Sequence, residues 1–332
     1  MPADLVVVVN SPGAALIGDN LEQIVAGVVG DMPRILIESP GYSQAVWNGI
    51  SRAQRTLAET FARRTARGST GSVNLLGLSI FQRYYRGDLE ELRRLLGLCG
   101  ISVNCALGCK SSLEEVRHLG DADLNVVLYP ENGRETAEYL KETFGTPFIS
   151  PGLPLGFEAT ESWLKQICAV LGKDPAPALL DSERARAAVY LHVSRVNSLT
   201  GLPKGVPFAV HGTCSQCLAY ARYLVGHFGM TAECLSILND PAGDPESYGA
   251  VLSLLRNFGM ESALERDILD TRAEMVFADA NILAQLKLRS RPFCGVEISL
   301  PSFGYVDVIP KAHLGIRGAL LICEEVLNGL LF

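Results

Sequence analysis

The chain has 332 residues, 48% apolar and 20% charged, enough for two or three domains of ~150 residues each with a sizeable core. A formal net charge of −7 argues against nucleic-acid and anionic-membrane partners, which favour basic surfaces. No run of ~18 apolar residues is free of charge, and "MPADLVVVVN" lacks a basic n-region and a cleavage site. Neither a membrane span nor a signal peptide is expected, and the expected compartment is the cytoplasm.

Apolar runs alternate with helical patterns almost from end to end. In chain order the expected strands are "DLVVVVN", "PRILIES", "SVNLLGL", "ISVNCAL", "DLNVVLY", "PFAVHG", "AECLSIL", "EMVFAD" and "FCGVEISL". Between them, stretches such as "DLEELRRLLGLCG", "RETAEYLKETFG" and "CSQCLAYARYLVGHFG" read as helices, several ending at a glycine. Strands without polar alternation, separated by helices, indicate parallel sheets covered on both faces, so the expected fold class is α/β with tandem Rossmann-like domains. Residues 62–72, "ARRTARGSTGS", read as a linker. Past "SPGLPLGFEAT" two successive helices break the alternation and bridge one α/β unit to the next. The charges of "DLEELRRLL" and "DSERARAAV" read as solvated helix faces.

Most familiar chemistry is absent. There is no G-x-x-x-x-G-K-[ST] and no G-x-G-x-x-G, so neither an ATP nor an NAD site is expected. There is no G-x-S-x-G or H-E-x-x-H, and the five histidines are scattered. Nine cysteines, an odd number, indicate free thiols in a reducing compartment, most of them buried as small apolar residues.

One motif stands out, "HGTCSQCLAY" from His211, at the turn from a strand into a helix. Cys214 and Cys217 read either as a metal or redox pair, or as packing residues of that turn. A metal would need two further ligands. The sequence offers His211 and Cys109, the latter just past the strand that holds Cys105. Glu297, inside the apolar "GVEISL", implies either a buried ion pair or an acid facing a cavity. His313, ahead of the last helix, reads as a proton donor or as a partner for a loop carbonyl. Gly41 in "SPGYS" supplies a turn with positive φ.

Longer stretches carry a resemblance. "ALIGDNLEQI", "ESPGYSQAVWNGI", "PFISPGLPLGFEATESWLKQI", "PFCGVEISLPSFGY" and "HLGIRGALLICEEVLNGLL" resemble, in order and spacing, the nitrogenase component 1-like family. That family includes nitrogenase α and β chains, cofactor-assembly scaffolds, dark-operative protochlorophyllide reductases and the reductive cyclase of a nickel tetrapyrrole. The resemblance implies three Rossmann-like domains: residues 1–67 as the end of the first, 72–172 as the second and 204–312 as the third. A bridging helix fills 173–203 and a C-terminal helix 313–332.

It also implies a homo- or heterodimer with a homologous chain, an interfacial iron–sulfur cluster, and electrons delivered by an ATP-hydrolysing iron protein to a bound small-molecule substrate. The sequence departs from the family in several places. The N-terminal region that supplies most cluster cysteines has no counterpart here, and Pro12 stands where a further cysteine is expected. Tyr129 occupies the position of a cysteine that anchors the molybdenum–iron cofactor, and "SLPSFGYVDVIPK" lacks the companion histidine. The expected function is therefore reduction of an organic substrate, a tetrapyrrole foremost, and not of dinitrogen. Tyr129 and His211 are the expected cofactor-binding residues, His313 and Glu297 the catalytic ones, and Cys214, Cys217 and Cys109 the metal ligands. The alternatives are a scaffold for metal-cofactor assembly and a cluster-free two-lobe ligand-binding protein.

Overall fold

The computed structural model describes all residues except 1–3, 12, 14–19, 31, 38–44, 66–70, 290, 300–307 and 332. Pro12, Gly41, most of "ALIGDN" and the centre of the expected linker lie outside the described residues, as does most of "LPSFGYV". The first elements are β1 (Val6–Val9), α1 (Leu21–Val29), β2 (Arg34–Ile37), α2 (Val46–Phe61), β3 (Ser72–Leu76) and α3 (Tyr85–Leu98). There follow β4 (Ser102–Ala106), α4 (Leu113–Arg117), β5 (Leu124–Val127), α5 (Pro130–Phe144), β6 (Phe148–Ile149), α6 (Phe157–Leu171) and α7 (Ala176–Thr200). The last third holds β7 (Pro207–Gly212), α8 (Cys214–Phe228), β8 (Thr231–Ile237), α9 (Pro245–Phe258), β9 (Met275–Asp279), α10 (Ala280–Leu288), β10 (Cys294–Ser299) and α11 (Gly315–Leu331).

Contacts divide the chain into two compact units, residues 1–78 with 103–150, and residues 79–102 with 151–332. In the first unit β1 and β2 pair in parallel, and a separate sheet has the order β4-β3-β5-β6. β3 and β5 are buried on both faces, as their mostly apolar runs imply. Ala58, Leu76, Val127, Ala137 and Leu140 form the core between this sheet and helices α2 and α5. The polar interruptions are satisfied: Asn74 donates to Leu119 O and to Asn125 Oδ1, and Asn104 donates to Asn74 Oδ1. β1 behaves differently from the covered strand its valine run implies. Its residues alternate, and Val7 and Val9 are exposed.

The second unit is built on a parallel sheet of order β10-β9-β7-β8. Its sequence signals are local and legible. Gly172, Gly201, Gly229 and Gly259 are left-handed C-caps. Thr213 and Gln216 make a capping box at the start of α8. α6 and α7 follow one another without a strand, as the sequence predicts.

The "DLEELRRLL" helix departs from the solvated face that its charges imply. Within α3 only 2% of Asp88 and 1% of Glu91 is exposed. Both carboxylates accept backbone N–H groups from the start of α11: Asp88 from His313 and Leu314, and Glu91 from Arg317. A helix start buried against another helix has orphan donors, and these two acids satisfy them across the interface. Glu91 also takes a bidentate contact from Arg94, which reaches on to Asp181 in α7.

Candidate functional site

The α3–α11 contact depends on a glycine. A Cβ on Gly87 would sit 2.1 Å from Lys311 O, so only glycine lets α3 lie directly on the backbone that leads into α11. That close approach brings Asp88 under the His313 N–H at 2.7 Å. Burial pushes the Asp88 carboxyl up to about 6, against the opposing pull of the Leu314 and His313 N–H groups.

His313 is buried in the middle of this junction. Its ring stacks on Tyr84 with centroids 3.7 Å apart, Nδ1 lies 2.6 Å from the Tyr220 hydroxyl, and Nε2 lies 2.9 Å from Glu325 Oε2. The Tyr84 hydroxyl donates to the other Glu325 oxygen. Four elements therefore converge on one imidazole: the segment before α3, α8, α11 and the loop that carries His313. Only 3% of His313 is exposed, whereas 21% of the Glu325 side chain is.

Glu325 lines a cavity of about 400 Å³ together with Arg83, Tyr84, Glu297, Lys311 and Asn328. Arg83 and Glu297 form a buried ion pair at 2.7 Å, with side chains 5% and 3% exposed. Glu297 is thus both ion-paired and part of the cavity lining. Sequence reasoning missed Arg83, Glu325 and Tyr220. Arg83 and Tyr220 stand 214 and 93 residues from their partners, and Glu325, near His313 in the chain, is 241 residues from Tyr84; no local pattern marks any of them.

The "CSQC" turn is located where the sequence puts it, at the end of β7. Cys214 and Cys217 are fully buried. The Cys214 N–H is taken by Asn239 Oδ1, and the Cys217 thiol faces the carbonyls of Gly212 and Ser236. His211 lies 2.9 Å from the Ser236 hydroxyl and 3.6 Å from Asp279 Oδ2. Burial lowers its pKa, and Asp279 opposes that effect. Tyr129 and Cys109 belong to the other unit. Tyr129 is buried at the N-cap of α5, and Cys109 follows β4 beside the left-handed Lys110.

Among the described residues no group of three or more His, Cys, Asp or Glu side chains converges as a metal site. Burial raises the thiols of Cys168 and Cys234 to about 12 and that of Cys323 to about 11. Among the described residues no set of side chains is arranged to hold an iron–sulfur cluster.

Parallel sheets flanked by helices define a Rossmann-like α/β architecture. The chain belongs to the family described as Nitrogenase component 1 type Oxidoreductase, whose sequence model matches residues 1–331. It is 34% identical over 312 residues to a subunit of the light-independent protochlorophyllide reductase of Methylobacterium radiotolerans, covering 90% of this chain and 57% of that protein. The corresponding subunit of the enzyme from Synechococcus sp. (strain WH7803) is 28% identical over 349 residues, with 99% of this chain and 64% of the relative covered. The chain thus spans less than two thirds of these relatives' length. Among solved structures, nitrogenase Cp1 at pH 6.5 matches with a TM-score of 0.79 at 15% identity, over 99% of this chain and 75% of the other. At that identity the likeness shows the fold.

Proposed function

We propose that the chain is the catalytic-component subunit of a nitrogenase-like reductase that acts on an organic substrate, a tetrapyrrole. It works in the cytoplasm with a homologous subunit and receives electrons from a separate ATP-dependent iron protein. The observation that carries this reading is the family match over residues 1–331, joined to relatives named as protochlorophyllide reductase subunits. Two facts agree with it: no phosphate-binding loop occurs in the sequence, which leaves nucleotide hydrolysis to a partner, and no described helix is long and apolar enough to cross a membrane.

In this reading the cavity beside α11 meets a polar edge of the substrate. Lys311 offers a cation to a carboxylate substituent, and Glu325 is the residue that exchanges a proton with the cavity. His313 acts behind it as a positioning residue, with Nε2 2.9 Å from Glu325 Oε2 and Nδ1 held by Tyr220. The Arg83–Glu297 pair holds the wall of that cavity and takes no part in proton transfer.

The test is equilibrium binding of protochlorophyllide to the chain assembled with its homologous subunit, followed by pigment fluorescence. Saturable binding that Lys311→Glu weakens roughly tenfold supports the assignment, because a charge reversal replaces attraction by repulsion. Binding unchanged by Lys311→Glu removes this cavity from the substrate path. A second reading, a cluster-free relative that binds or holds a ligand without reducing it, draws on the buried thiols and the lack of a metal-ligand group among the described residues. It predicts the same binding with no turnover.

A further inference from the structure

A second cavity, of about 340 Å³, lies against the C-terminal half of α8 and shares no lining residue with the one beside α11. Its apolar walls are Leu153, Leu155 and Phe157, from the approach to α6 and its first residue, and Tyr223 from α8. These walls are fixed in place. Gly156 adopts φ 86°, and a Cβ there would sit 2.3 Å from the Tyr223 ring, so the loop is pressed against the aromatic face. The Tyr223 hydroxyl donates to Ala319 O at 3.1 Å and lies 3.1 Å from Cys323 Sγ, which ties the ring to α11. His227 stacks on the other side of Tyr223, with centroids 5.1 Å apart and planes 21° apart. Burial and the nearby Arg186 lower its pKa, and Glu158 opposes them.

The polar part of the lining is Arg222, Glu158 and Ser162. Glu158 and Arg222 do not pair with each other. Among the described residues Arg222 makes no hydrogen bond and no ion pair; the residue is exposed, and the partial desolvation of its guanidinium lowers its pKa. Arginines beside aromatic rings elsewhere in this unit are matched: Arg186, over Phe157, pairs with Glu161, and Arg83, over Tyr84, pairs with Glu297. Among the described residues, Arg222 is a cation of a ligand-sized cavity without a protein anion.

We propose that this cavity binds a small apolar monocarboxylate, with its ring or chain against Phe157 and Tyr223 and its carboxylate on the Arg222 guanidinium. The volume falls at the lower end of small-molecule sites and admits one or two rings. A planar guanidinium matches a carboxylate with two parallel N–H donors. Glu158 in the same lining disfavours a second negative charge. The site is independent of the proposed substrate cavity and of any electron donor.

The experiment is calorimetric titration of the full chain with 2-naphthoate and with its uncharged analogue 2-naphthamide. The same titrations are made on Arg222→Leu and on Ser162→Phe, which fills the cavity, after circular dichroism and melting curves confirm that both fold. The proposal expects one saturable site for 2-naphthoate. Both 2-naphthamide on the wild type and 2-naphthoate on Arg222→Leu should bind at least roughly tenfold more weakly, and Ser162→Phe should abolish binding. Non-saturating binding overturns it, as does equal affinity for the two probes. So does an affinity that neither variant changes, since the probe then adheres elsewhere.

Discussion

Replacing Glu297 by Gln keeps the shape of the side chain and removes its charge, which isolates the question of what the buried Arg83–Glu297 pair does. At 2.7 Å the two charges attract by about 6 kcal/mol at an effective dielectric of ~20. Desolvation opposes that with several kcal/mol for each ion, so the intact pair is close to neutral in net stability. Removing one partner is different. Arg83, with 5% of its side chain exposed, would keep its desolvation cost and lose its counter-charge, and such losses are about 3–5 kcal/mol. The double variant Arg83→Met/Glu297→Leu removes both charges and should cost less than Glu297→Gln alone. Urea unfolding of the wild type, Arg83→Met, Glu297→Leu and their double variant closes the cycle, with Glu297→Gln measured beside it. A Glu297→Gln cost within ~0.5 kcal/mol, the range of ordinary surface changes, would refute the reasoning and return Glu297 to a chemical role.

Three further outcomes follow from the same unit. Asp88, raised to about 6 by burial, binds more protons in the fold than in the unfolded chain between about 4 and 6. Stability should therefore fall as pH rises through that window, by up to about 3 kcal/mol, and Asp88→Asn should flatten this part of the pH–stability curve measured by urea titration. Gly87→Ala places a methyl on the Lys311 carbonyl and should lower stability by about 2 kcal/mol or more; a melting temperature unchanged from wild type would contradict the contact. Cys214→Ala/Cys217→Ala should leave iron per chain unchanged after anaerobic expression, while iron that disappears in the variant would make the pair a ligand set after all.

The fold was legible because its signals are local. Val, Ile and Leu runs mark covered parallel strands, and glycine closes helices where a left-handed residue is needed. The "HGTCSQC" turn carries its own capping box. The junction around His313 was not legible, for physical reasons that can be named. Asp88 sits in a helix whose charge pattern looks solvent-facing, and its purpose appears only when α11 arrives from 225 residues away. The sequence marks His313 itself, but not that Tyr84 and Glu325 stand between it and the cavity. Conversely, the C-x-x-C spacing draws attention to two buried cysteines in a capping turn, the Cys217 thiol facing backbone carbonyls.

The central claim is best tested by turnover. The chain, joined to its homologous subunit and an iron protein, should reduce protochlorophyllide under anaerobic conditions only when ATP and an electron source are both present, with product followed by absorbance. Loss of product on omitting either the iron protein or ATP is the predicted result. Pigment that binds to the assembled complex and stays unreduced with every component present would contradict the reductase reading and favour a ligand-holding relative.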